Sequence, residues 1–289
     1  MDRRTDELTR RPTVIVGSRQ GRPNLPSGQC PFCPGGIEAP EPYDVKWFEN
    51  RWPAMPDDRC EMVLYTPDHD AEFWTLGQDG ARRVVDLWAE RTAALGGRDD
   101  VDYVLVFENR GPQVGATIAH PHGQIYAYGE IPPEPLRELV DGVLDVEHLD
   151  PDLVVSRAGD WTGWVPAAAV WPYELRLAAG EGVGALTDEA CDRDGLAALL
   201  IDVLARLDQL FDAPMPYMMW FHQRPTDGAD WPTARLHLHI CPLYRAPGVQ
   251  RYVASAELGG GLTFNPIDPT VAAAALRACA GAPAAQDHP

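Results

Sequence analysis

Five of the eight histidines fall in three short stretches: His120 and His122 in AHPHGQIY, His222 in MMWFHQ, and His237 and His239 in RLHLHICP. His122 is the residue whose surroundings point most directly to chemistry. An imidazole whose Nδ1–H is held by a backbone carbonyl presents the lone pair of Nε2, a competent nucleophile toward phosphorus. Gly123 follows it and removes side-chain bulk beside the ring, so a phosphoryl group is expected to approach closely. The third position of H-x-H-x-Q is Gln124, a neutral amide that donates to phosphate oxygens but does not readily activate water. A phosphohistidine made here waits for an incoming phosphate, which is nucleotidyl transfer and not hydrolysis.

Cys30-Pro-Phe-Cys33, followed by Pro34-Gly35-Gly36, can grip one ion with two thiolates. Zinc takes four ligands, at about 2.3 Å from sulfur and about 2.0 Å from nitrogen. No second C-x-x-C is present, so the other two ligands would be histidines, with His69 in YTPDHD and His120 as candidates. The competing readings are a redox pair or two ordinary thiols. A thioredoxin-type motif follows a strand and opens a helix, whereas this one lies between prolines and glycines, which favours metal. Residues two apart on a strand share a face, so His237 and His239 converge on one site. Two hydrogen-bonded surface histidines would look the same in sequence, but His222 at the end of a neighbouring stretch favours a shared site.

The elements that must hold these residues occur twice. The first half reads as a strand at 13–17 (TVIVG), a helix over 80–95 and strands at 101–109 and 118–128. In the second half, WPYELRL at 171–177, which echoes NRWPAM at 50–55, a helix over 195–210 and strands at 214–223 and 235–244 follow the same order. Trp52 and Trp171 are 119 residues apart, Phe107 and Phe221 114, and His120 and His237 117. This favours an internal duplication, with halves at 1–158 and 159–289, each an α+β unit of antiparallel sheet and packed helix. The length of 289 residues, about twice that of one domain, agrees. An Ala-rich helix is expected after Pro269, with a loose end at GAPAAQDHP.

A hydrophobic fraction of 45% and a charged fraction of 23% are those of a globular chain, and the six cysteines read as free thiols or metal ligands. The net charge of −19 argues against nucleic-acid or anionic-membrane binding. It is compatible with a small phosphorylated ligand held by backbone amides and a few placed cations. No apolar run approaches the ~20 residues of a membrane span, and MDRRTDELTRRP has no apolar signal-peptide core, so a cytoplasmic location is expected.

At HPHGQIY the sequence resembles the histidine-triad superfamily, and within it the galactose-1-phosphate uridylyltransferase family. FENRGPQVGATIAHPHGQIYAY (107–128) resembles the family's nucleotide and nucleophile segment, CPFC with PDH its zinc site, and H…LHLH its second metal site. The likeness spans roughly residues 13–275. It implies two histidine-triad-like halves in one chain and a ping-pong transfer of UMP from UDP-glucose to galactose 1-phosphate. It implies His122 as nucleophile and Gln124 as the donor to the phosphoryl oxygens. It also implies zinc on Cys30, Cys33, His69 and His120, and iron or a second zinc on Glu138, His222, His237 and His239. Arg19, Arg22, Asn50, Asn109, Thr117, Arg251, Tyr252 and Glu257 match substrate-binding positions, and a homodimer with shared active sites is implied. The sequence departs from the family at Arg51, Ile118-Ala119 and Ala256. Adenylyl-transferring relatives that act on ADP-sugars or dinucleoside polyphosphates share H-x-H-x-Q, so that reading, or transfer to another sugar 1-phosphate, stands as the alternative.

Overall fold

The computed structural model describes residues 2–21, 29–142 and 144–279. Its strands are β1 (Asp2–Thr5), β2 (Pro12–Ile15), β3 (Lys46–Glu49), β4 (Cys60–Leu64), β5 (Tyr103–Arg110), β6 (His122–Tyr128), β7 (Val154–Ala158), β8 (Trp161–Trp164), β9 (Leu175–Ala178), β10 (Tyr217–His222), β11 (His237–Pro242), β12 (Tyr244–Ala246) and β13 (Val249–Gln250). The α-helices are α1 (Gly77–Gly96), α2 (Pro133–Asp141), α3 (Arg193–Gln209), α4 (Ser255–Gly260) and α5 (Pro269–Ala278). Nine strands form one antiparallel sheet in the order β3-β4-β6-β5-β10-β11-β9-β8-β7.

That order makes the duplication visible. Reading outward from the central β5–β10 contact, β6, β4 and β3 on one side match β11, β9 and β8 on the other, with α1 and α3 in equivalent chain positions. The two half-sheets therefore join into one. The division expected at 158/159 falls in the turn of the β7–β8 hairpin. The matching of residues is corrected by one pleat. His122 and His237 each open a strand, and each donates from Nδ1 to the carbonyl two residues earlier at 2.7 Å. His237 is thus the counterpart of His122, not of His120.

Helices α1 and α3 lie together on one face of the sheet. Val84, Val85, Trp88 and Leu95 from α1, and Leu196, Leu199, Leu200, Val203 and Leu207 from α3, are buried at helical spacing in the main core. Asp192 caps α3 by accepting from the Gly195 amide at 2.9 Å. Along β5, Val104, Val106 and Glu108 are buried on the helix face, while Leu105, Phe107 and Asn109 alternate to the half-buried open face. Along β6 the open face receives His122, Gln124 and Tyr126, and the helix face receives Gly123, Ile125 and Ala127.

Three expected strands are shorter than their apolar runs. Residues 118–121 are irregular, as a proline before His122 demands. Trp171–Glu174 forms a turn with Tyr173 at φ 58°, and the Glu174 carboxylate accepts from the Val170 and Trp171 amides, so the strand starts only at Leu175. The first strand ends at Ile15 and pairs with β1 in an exposed hairpin. The stretch GAPAAQDHP lies outside the described residues.

Candidate active site and metal clusters

His122 begins β6 opposite Leu64 of β4. The carbonyl of His120 can only accept, so Nδ1 of His122 carries the proton and Nε2 the lone pair. The ring lines two cavities. One, of about 350 Å³, lies under the 111–121 segment and includes Asn109, Thr117 and Glu108. The other, of about 180 Å³, has walls of Phe32, Phe48, Trp52 and Ile118, with Asn50 and Thr117 at its polar positions. Gln124 is on the same strand face, and Asn50 Nδ2 donates to its Oε1 at 3.4 Å. That contact turns the amide nitrogen of Gln124 outward as a donor.

Gly123 has a different role from the one expected. It faces away from the imidazole, and a Cβ there would come within 2.2 Å of the Tyr65 hydroxyl and 3.2 Å of the Phe107 carbonyl. Glycine is required by what lies behind the strand, not by what approaches in front of it.

The first metal cluster sits directly before this strand. Cys30, Cys33, His69 and His120 bring their ligand atoms within 4.8 Å of one another. Cys33 Sγ is 3.5 Å from His69 Nδ1 and 3.6 Å from His120 Nδ1. A tetrahedron with arms of about 2.0–2.3 Å has edges of roughly 3.3–3.8 Å, so the spacing suits a four-coordinate ion such as zinc. His120 Nε2–H donates to the Thr66 carbonyl at 2.7 Å, which directs the Nδ1 lone pair at the sulfur pair. Tyr43 stands 2.9 Å from the same Nε2 and donates to the Phe32 carbonyl at 2.7 Å. Burial, followed by the neighbouring Cys30 thiol, raises the Cys33 thiol above its ordinary value, and burial lowers His120. A bound cation would reverse the penalty on the thiolates. Phe32, between the two cysteines, meets the His122 ring edge-on with centroids 5.1 Å apart. The cluster therefore touches the strand that opens with His122 twice, through His120 and through Phe32.

The second cluster stands where the first half has His122 and Gln124. Glu138 of α2 lies 2.5 Å from His222 Nδ1, 3.2 Å from His237 Nε2 and 3.6 Å from His239 Nε2. His239 Nε2 is buried without a hydrogen-bond partner, as a metal ligand's nitrogen is before the metal binds. Burial alone would raise Glu138, but the neighbouring His222 and His237 hold it far below the carboxylate range. Burial, and then the neighbouring His237 and His222, take His239 well below its ordinary value. A divalent ion fits this donor set as well.

The remaining expected residues divide. Asn50, Asn109 and Thr117 line the His122 cavities, whereas Arg251, Tyr252 and Glu257 line neither. Arg251 is spent within the chain, on Glu257 and over the Trp171 ring, and Glu257 also accepts from the Ala254 and Phe264 amides. Arg19 lies in an exposed 3-10 turn outside both cavities, and Arg22 lies outside the described residues. Sequence reasoning missed Phe32, Tyr65 and Glu108. A signal existed for Glu108, because it keeps the inward phase of Val104 and Val106 in a strand with one face on the core.

The chain matches two family models, the galactose-1-phosphate uridyl transferase N-terminal domain over residues 49–132 and the C-terminal domain over residues 126–278. It is 37% identical to a galactose-1-phosphate uridylyltransferase of Streptomyces lividans, over 85% of this chain and 76% of that protein. It is 32% identical to one of Thermotoga maritima, over 96% of this chain and 98% of that protein. A solved uridylyltransferase structure superposes with a TM-score of 0.86 at 29% identity, covering 96% of this chain and 98% of the other. An ADP-glucose phosphorylase from Arabidopsis thaliana shares the fold, with a TM-score of 0.77 at 21% identity and coverage of 96% and 99%. The chain belongs to the galactose-1-phosphate uridylyltransferase family.

Proposed function

We propose that the protein transfers UMP from UDP-glucose to galactose 1-phosphate through a uridylyl group carried on His122. The observation that carries this reading is the Nδ1–H bond of His122 to the His120 carbonyl, made at the rim of two cavities. Nε2 attacks the α-phosphorus, the bond to the β-phosphate oxygen breaks, and glucose 1-phosphate leaves with the electron pair. The positive charge left on the imidazole is shared with the His120 carbonyl through Nδ1–H. Gln124, oriented by Asn50, donates to the phosphoryl oxygens as charge builds there. Galactose 1-phosphate then attacks the same phosphorus and returns Nε2 to its starting state.

Cys30, Cys33, His69 and His120 are the residues that would hold zinc, and Glu138, His222, His237 and His239 would hold iron or a second zinc. An ion at the first cluster would supply rigidity to the turn before His122. A cytoplasmic location is part of this reading; no described helix is long and apolar enough to cross a membrane. The proposed assembly is a homodimer with shared active sites. It is supported by the exposure of Tyr252, Leu258, Leu262 and Phe264.

Isotope exchange tests the two-step reading. With UDP-glucose and labelled glucose 1-phosphate alone, label should enter UDP-glucose in the absence of any galactose 1-phosphate. Exchange seen only when the second sugar phosphate is present would refute it, and exchange with ADP-glucose alone would move the protein to adenylyl transfer.

A further inference from the structure

Behind the nucleophile strand lies a polar group that packing does not account for. Glu108 is 5% exposed, on the helix face of β5, in phase with Val104 and Val106 of the main core. Tyr217 of β10 donates to its Oε1 at 2.7 Å, while Oε2 has no hydrogen-bond partner. The other hydroxyl acting on this carboxylate is that of Tyr65, itself 2% exposed and without a partner of good geometry. Arg110 and Glu72 are the charged groups nearest to it, and Asp208 of α3 holds Arg110 through a bidentate pair. Burial pushes the Glu108 carboxyl up to about 7, against the pull of the Tyr217 and Tyr65 hydroxyls.

A buried carboxylate with one well-made hydrogen bond is costly, and an apolar or amide side chain of similar size commonly serves a core as well or better. Retention of such a group beside a reactive strand points to a task there. The connection to the nucleophile is short. The Tyr65 amide donates to the Pro121 carbonyl at 3.2 Å, and the Tyr65 hydroxyl lies where a Cβ on residue 123 would fall. Tyr65 thus supports the backbone on both sides of His122, from the face opposite the imidazole.

We propose that Tyr65 and Glu108 are positioning residues for nucleotidyl transfer: the buried carboxylate lies against the tyrosine hydroxyl, and the tyrosine sets the depth of the His120–Gly123 backbone and so of His122 Nε2. Both residues line the larger cavity beside His122, and the role proposed for them is on the backbone that carries it. The pair acts through the strand, where an error of about an ångström costs on the order of a hundredfold in rate. The proposal rests on His122 being the nucleophile.

The test uses the full chain with Glu108→Gln, Tyr65→Phe and the double substitution, mixed with UDP-glucose without acceptor. Each single variant should form the UMP adduct at least tenfold more slowly than wild type, with UDP-glucose binding within about twofold. The double variant should be no slower than the slower single variant, because the two act along one path. Glu108→Gln should melt no lower than wild type at pH 8. Adduct formation at the wild-type rate in Glu108→Gln would overturn the proposal. So would losses of rate that multiply in the double variant while melting temperature falls in step. Glu108→Gln alone decides the matter if Tyr65→Phe does not fold. Failure of wild type itself to form an adduct on His122 would instead refute the nucleophile assignment.

Discussion

At the scale of single residues, the difference between a transferase and a hydrolase rests on the side chain two positions after the nucleophile. Gln124 has an amide that can steady phosphoryl oxygens and cannot take a proton from water at neutral pH. Its orientation depends on Asn50. Gln124→Ala should therefore slow both half-reactions by about 10²–10³, the usual cost of losing one such donor. Asn50→Ala should slow them by a smaller factor, about tenfold, and single-turnover rates with each sugar phosphate measure both. Glu108 carries a second prediction, on stability. Its carboxyl is pushed up to about 7 in the folded chain by burial, above the ordinary carboxylate value of 4.5. The folded state therefore binds its proton more tightly than the unfolded state does, and stability is lost as pH rises from about 4.5 through 7. Between pH 5 and 8 wild type should lose roughly 2 kcal/mol relative to Glu108→Gln. Paired denaturant titrations across that range should show the gap widening with pH, and a constant gap would contradict the assignment.

At the scale of elements, the nucleophile strand is held from both ends and from behind. Gly123→Ala would force Cβ to 2.2 Å from the Tyr65 hydroxyl, so it should destabilise the protein by about 1–3 kcal/mol. Adding Tyr65→Phe should recover part of that loss in a thermal melt, because it removes the clashing atom. Cys30→Ser should lose bound metal and melt earlier, since binding and folding of such a site are coupled. Full stoichiometric metal in that variant would contradict the cluster. Both long helices were legible because their apolar residues recur at helical spacing, and the β6 alternation was legible because one face is buried. The metal cluster was legible in part, since C-x-x-C with glycines states its chemistry but not its partners. Glu138 could be reached only through resemblance, because nothing local marks a helix glutamate as facing three histidines from another half. The turn at Trp171–Glu174 was not legible. Its residues have strand propensity, and the Glu174 carboxylate that captures two amides overrides it. The joining of the half-sheets through β5 and β10 was hidden for a similar reason, because an edge that will be paired looks like any buried strand.

At the scale of the whole molecule, one ancestral plan is used for two tasks. His237 and His239 stand where the first half has His122 and Gln124, with the same Nδ1–H bond to the carbonyl two residues back. Glu138 of α2, from the first half, closes over these histidines, and together they form a candidate metal-ligand set in place of the proposed nucleophile and its amide. His237→Ala should therefore melt earlier yet keep its KM for UDP-glucose. A large rise in KM at unchanged melting temperature would place that cluster in substrate binding. Everything said of the first half converges on Nε2 of His122 as the atom that takes the nucleotidyl group. Intact-protein mass spectrometry after mixing with UDP-glucose alone, quenched in alkali because phosphohistidines are acid-labile, reads that atom most directly. One UMP per active site, mapped by peptide fragmentation to His122 and absent from His122→Ala, is the predicted result. An adduct on any other residue, or turnover with no adduct formed, would contradict it.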